Sequence, residues 1–145
     1  HSWLVGADGK GLSKRLGSLS ISAMREEGLE AMAVVSHAAL LGTSDAIHPC
    51  ADYKELVDGF DLAKLSRAPA RFDEAELRGL NAKLLHQTPF EAVRERLATA
   101  GVGGGEAFWL VVRGNLGRLA DAALATDVKA RAAYVCAKFT PYPEA

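Results

Sequence analysis

The sequence predicts a mainly α-helical fold, a helical bundle preceded by a glycine-rich loop. Apolar residues recur at spacings of three and four along most of the chain, sustained polar/apolar alternation is rare after the first few residues, and capping residues stand at the ends of the periodic stretches. Trp3, Leu4 and Val5, ahead of the turn pair Asp8-Gly9, read as the end of a strand entering a loop. From Gly6 to Ser20 the chain holds four glycines, three serines and a basic cluster, a composition for a mobile, hydrogen-bonding segment.

Helices are expected from about Ser22 to Glu27, stopped by Gly28, and from about Glu30 to Leu41, stopped by Gly42, where left-handed geometry suits glycine. The two should pair as a short hairpin, with Met32, Val35, Ala39 and Leu40 as the apolar stripe of the second. Ala51 to Asp58 is a shorter helix ending at Gly59, and Asp61 caps a further turn containing Leu62 and Leu65. Pro69 interrupts. Asp73, three residues before Glu76, has the pattern of a helix start with a capping partner, and the helix should run to about His86. Thr88, with Pro89 at the first helical position and Glu91 beyond, starts a helix to Ala100. Gly101 to Gly105 is a flexible break. Helices over Glu106 to Ala125 and Asp127 to Lys138 follow, and Pro141 and Pro143 close the chain in an extended tail.

With 145 residues and 49% apolar composition the chain is long enough for a genuine core. No apolar run approaches the roughly 18 to 20 residues that cross a bilayer, and the start lacks the features of a secretory signal, so a soluble, cytoplasmic protein without membrane association is expected. Cys50 and Cys136 lie far apart with no CxxC spacing, and His37, His48 and His86 share no metal-ligand spacing, so no metal site or disulfide framework is expected. A formal net charge of -1 argues against non-specific nucleic-acid binding but leaves room for a basic face. Arg67, Arg71, Arg78 and Lys83 lie on or near one segment and could meet phosphates; equally, they could form a solvated face paired with Asp73, Glu74 and Glu76. Trp109, with Phe108, Leu110 and Leu116, is better explained by helix packing than by base stacking, and Asn81 by a structural hydrogen bond.

The stretch Lys10-Gly11-Leu12-Ser13-Lys14-Arg15 is the one that carries chemistry. A glycine-rich loop brings backbone N–H groups close to phosphate oxygens, and a lysine beside it supplies a positive charge for an oxyanion. The run from Asp8 to Gly17 resembles the KMSKS signature of class I aminoacyl-tRNA synthetases, in the form DGxKLSKRxGxxS of bacterial glutamyl-tRNA synthetases. Further islands follow in the same order: Arg25-Glu26-Glu27-Gly28 like REEG, Leu40-Leu41-Gly42-Thr43-Ser44 like a leucine-rich helix closing in LGWS, Phe60 through Asp73 like FxLxxLSxSPAxFD, and Leu77 with Asn81 like KLxWxN. The chain departs from the family pattern at Gly11, where the first signature lysine is expected with Lys10 one residue early, and at Thr43, Glu76 and Gly79.

The resemblance implies a part of a glutamate–tRNA ligase. Residues 1–20 would carry the KMSKS-type loop from the end of the catalytic domain, 21–72 a helical region contacting the tRNA stem, and 73–145 the start of the anticodon-binding domain. Lys14 matches the catalytic lysine that stabilises charge on the ATP α-phosphate as glutamyl-adenylate forms; Lys10, Gly11, Leu12, Ser13 and Arg15 complete the ATP-binding loop. The tRNA for glutamate is the implied partner, met by Arg67, Arg71, Arg78 and Lys83. Without the Rossmann-type catalytic fold the chain alone should be catalytically incomplete: ATP, with magnesium, and glutamate would bind only in the full enzyme. The alternative is a free-standing truncated paralogue, a non-enzymatic RNA- or protein-binding module.

Overall fold

The structure, a computed structural model, describes residues 4–6, 9–11 and 20–126. It is mainly helical, as the periodicity requires. The chain divides into two compact units, His1–Leu84 and Leu85–Ala145.

In the first unit, α1 spans Ile21–Glu27. Ser20 opens it by accepting the Ala23 N–H at 3.0 Å, and Gly28 closes it at φ 86°, its N–H reaching the Arg25 carbonyl while Leu29 N–H reaches Met24. Helix α2 spans Ala31–Leu40. It ends one residue earlier than expected, because Leu41 is already extended; Gly42, at φ 82°, makes the turn beyond it.

The buried face of α2 differs from the expected stripe. Ala33, Ser36 and His37 point inward, whereas Ala39 is exposed and Met32, Val35 and Leu40 are only half-buried. Polar side chains can take the inner face because each finds a partner. The Ser36 hydroxyl donates to the Met32 carbonyl at 2.6 Å and accepts the Cys50 N–H at 3.1 Å. His37 meets the edge of Phe72, ring centroids 5.3 Å apart, and places Nε2 3.3 Å from the Glu76 carboxylate. Glu76, expected to support the start of its own helix, thus serves a histidine 39 residues earlier.

Helix α3 spans Tyr53–Asp58 behind a reciprocal cap, in which Asp52 accepts the Glu55 N–H at 3.0 Å and Glu55 accepts the Ala51 N–H at 2.9 Å. A 3₁₀ turn, Leu62–Lys64, follows under Asp61. Two short strands, β1 (Leu4–Gly6) and β2 (Ala70–Phe72), pair in parallel with Leu4 opposite Ala70. A parallel pair needs a long crossover, which the intervening chain with α1 to α3 supplies. Nothing local announces β2, since its partner lies more than sixty residues away.

Helix α4 spans Glu74–Gln87, opened by Asp73 accepting the Ala75 N–H at 2.8 Å. Within the first unit it buries Leu77, Leu80 and Asn81. Asn81 accepts the Glu30 N–H at 2.7 Å, fastening the start of α2 to α4, so the structural role expected for it holds.

In the second unit, α5 spans Phe90–Thr99, with Pro89 one position before the helix instead of inside it. The glycine run is ordered by its neighbours: Gly101 turns at φ 71°, and the Val102 N–H returns to the Leu97 carbonyl at 2.9 Å, which carries Val102 into the core. The helix expected over Glu106 to Ala125 is broken. Helix α6 spans only Gly105–Val112, Arg113–Asn115 forms a 3₁₀ turn, and α7 resumes over Asp121–Thr126. Gly114 and Gly117 weaken the helix, and an extended Leu116 inserts its side chain into the core at 2% exposure. That core is Trp109 ringed by Leu85, Val93, Leu97, Val102, Leu116, Leu119 and Ala122, the packing role expected for Trp109. The helix expected from Asp127 to Lys138, and Cys136, lie outside the described residues.

Candidate functional site

Leu12, Ser13, Lys14 and Arg15 lie outside the described residues. What is described is the turn that delivers the chain to them. The Gly6 N–H bonds the Lys10 carbonyl at 2.8 Å, Gly9 N–H bonds the Gly6 carbonyl at 2.9 Å, and Gly11 bridges back to Val5. Gly9 makes this reversal at φ 77°, a conformation that disfavours a residue with a Cβ. Lys10 and Gly11 are exposed beside β1.

The four expected phosphate-binding cations occupy different settings. Arg67 stands in the exposed turn before β2, and Arg71 is the exposed middle residue of that strand; neither has an ion-pair partner among the described residues. Arg78 is engaged: its guanidinium grips Glu27 at 2.5 and 3.2 Å and Glu74 at 3.1 Å, tying the end of α1 to α4. The hydrogen bond that Arg78 donates to Glu27 raises its pKa further. Lys83 is exposed on α4, five residues and therefore roughly 140° around the helix from Arg78. Thus Arg67 and Arg71 present charge to solvent from neighbouring positions, whereas Arg78 is engaged as a surface brace between α1 and α4.

The departures from the family pattern have local explanations. Thr43 donates to the Leu40 carbonyl at 2.8 Å and accepts the Asp45 N–H at 3.2 Å, building the turn after α2. Gly79 lies on the exposed face of α4, where an added Cβ would meet nothing. Glu76 partners His37.

Folding also gathers His48, Cys50 and Glu55, whose donor atoms all lie within 4.8 Å of one another. Cys50 is 1% exposed; burial pushes its thiol pKa up and the carboxylates of Glu55 and Asp52 push the same way, against an opposing Ser36 hydrogen bond. Sequence spacing gave little notice of this group, because Glu55 joins it only once the chain turns into α3.

The chain is 57% identical over 125 residues to glutamate–tRNA ligase 2 of Methylorubrum populi, and 55% identical over 123 residues to glutamate–tRNA ligase 2 of Xanthobacter autotrophicus. Each match covers 85% of this chain, and 28% and 27% of those proteins respectively. The class defined in this way is that of the aminoacyl-tRNA synthetases. A solved glutamate–tRNA ligase from Elizabethkingia meningosepticum, in complex with its amino acid, superposes with a TM-score of 0.64 at 26% identity, covering 88% of this chain and 30% of that one. The enzyme from Elizabethkingia anophelis gives 0.62 at 25% identity. The chain belongs to the glutamyl-tRNA synthetase family and spans somewhat more than a quarter of the length of the curated relatives it matches. No family model matches it.

Proposed function

We propose that this chain forms the tRNA-binding portion of a cytoplasmic glutamate–tRNA ligase, the enzyme that attaches glutamate to tRNA at the expense of ATP. The match of 85% of the chain to proteins of that name carries the proposal. The run from Lys10 to Arg15 supplies the KMSKS-type loop, with Lys14 stabilising the α-phosphate charge during glutamyl-adenylate formation. ATP, magnesium and glutamate are bound with the catalytic domain of the full enzyme; the chain alone is catalytically incomplete. Exposed Arg67 and Arg71 serve the tRNA backbone together with Lys83, while Arg78 must first give up two carboxylates. No described helix is long and apolar enough to cross a membrane.

Two measurements test this. Binding of tRNA for glutamate should weaken in the chain carrying Arg67→Ala and Arg71→Ala, and the log–log salt dependence should flatten by about 1 for each phosphate no longer neutralised. Equal binding of any polyanion, unaffected by these changes, would leave the tRNA reading unsupported and favour a non-enzymatic module. In the full-length ligase, Lys14→Ala should lower glutamate-dependent ATP–pyrophosphate exchange on the order of 100-fold or more. Undiminished exchange removes Lys14 from the mechanism.

A further inference from the structure

A hollow beside α3 is lined by Asp45, His48, Cys50, Glu55, Asp61 and Lys64, among others. At about 240 Å³ it falls short of the clefts of roughly 300–1,000 Å³ that hold organic ligands, but it has room for a partly hydrated ion. Three carboxylates face one lysine across it, and that lysine is held by Asp45 at 3.0 Å. The remaining charge is negative and favours a cation.

We propose that His48, Cys50 and Glu55 bind a zinc-class divalent ion, leaving one coordination position to solvent. The donor set selects the metal: a thiolate, formed as Cys50 releases its proton to solvent when the ion binds, an imidazole and a carboxylate suit a borderline-soft ion, whereas magnesium and calcium take oxygen ligands alone. The histidine is already poised. Its Nδ1 lies 2.9 Å from the Ala46 carbonyl, which can only accept, so Nδ1 carries the proton and Nε2 keeps the lone pair. That Nε2 is 4.0 Å from Glu55 Oε1.

Glu55 divides its two oxygens. Oε2 caps the Ala51 N–H at 2.9 Å, and Oε1 is the one turned toward His48. The Cys50 sulfur lines the same hollow, with only a 4.0 Å approach to the His48 carbonyl.

A tetrahedral zinc ion holds such donors roughly 3.3 to 3.8 Å apart. The present spread of up to 4.8 Å therefore has to close by about 1 Å. His48 and Glu55, with side chains 53% and 48% exposed, can make that movement without repacking the core. The bound ion would clamp the segment ahead of α3 onto the first turn of that helix. This site stands independently of the tRNA reading.

The test is a cobalt(II) titration of the chain carrying Cys136→Ser, so that Cys50 is the one thiol present. A thiolate-to-cobalt charge-transfer band with tetrahedral d–d bands is expected, displaced by zinc, together with a rise in melting temperature on adding zinc. His48→Ala, at an exposed position, should abolish the bands while circular dichroism confirms the fold. Glu55→Gln, whose amide oxygen still caps Ala51, should weaken binding. Absence of the charge-transfer band, its survival in His48→Ala, or unchanged binding in Glu55→Gln would overturn the three-donor site.

Discussion

Replacing Trp109 probes the core of the second unit with a worked magnitude. The indole is 0% exposed, and its Nε1–H donates to the Thr88 carbonyl at 2.9 Å. The same carbonyl accepts from Arg113 Nη1 at 3.1 Å, so it keeps a partner if the indole is removed. Trp109→Phe retains an aromatic ring among Leu85, Val93, Leu97 and Leu116 and forfeits one hydrogen bond and part of the buried area. Its cost should be about 1–2 kcal/mol. Trp109→Ala leaves a cavity as well and should cost about 3–5 kcal/mol. A unit of 61 residues, 85 through 145, commands a total stability of about 3–9 kcal/mol at 0.05–0.15 kcal/mol per residue. The alanine variant should therefore leave this unit at or beyond its limit, while the phenylalanine variant folds. Amide hydrogen exchange in α5 and α6 reports this unit separately from the first, and urea unfolding followed by circular dichroism gives the midpoint. Equal costs for the two substitutions, or a cost under about 1 kcal/mol for Trp109→Ala, would refute the assignment of Trp109 as the centre of this core.

The glycine turn offers an internally controlled comparison. An added Cβ at Gly104, at φ 89°, would sit 2.6 Å from Phe108 Cβ, whereas at Gly101, at φ 71°, it would meet nothing within 4 Å. Gly101→Ala should cost about 1 kcal/mol and Gly104→Ala clearly more, about 2–3 kcal/mol, by thermal unfolding; matching losses would mean that the close approach is not real. Arg78→Ala removes an exposed bidentate pair and should cost less than about 1 kcal/mol, with the difference shrinking as salt is added. A loss that ignores salt would show that the arginine acts through packing.

Local chemistry carried most of the helical architecture into view. Gly28 closes α1 because a left-handed glycine acts within one turn of the chain, and the capping carboxylates of Asp61 and Asp73 act over the same range, whereas Ser20 and Asp52 emerged as caps only in the structure. The loop from Lys10 to Arg15 could be singled out for a related reason, since the chemistry that the resemblance implies for it would reside in contiguous residues. The cation stripe was less legible. Sequence proximity put Arg78 beside Arg71, but only the approach of Glu27, 51 residues away, turned it into a brace.

What the sequence by itself determined was the helical class, the helix ends at Gly28, Asp61 and Asp73, the position of Trp109 in a core and the family resemblance, all properties of neighbours along the chain or of residue order. The tertiary structure decided which face of α2 turns inward, because Ser36 and His37 become compatible with burial only when Cys50 and Glu76 arrive from elsewhere to bond them. It decided that Ala70–Phe72 is a strand, that Leu116 ends a helix by entering a core, and that a histidine, a thiol and a carboxylate share one hollow. Each of these depends on a partner distant in sequence, and the free energy of burying a polar or apolar group is set by that partner, not by the group's neighbours in the chain.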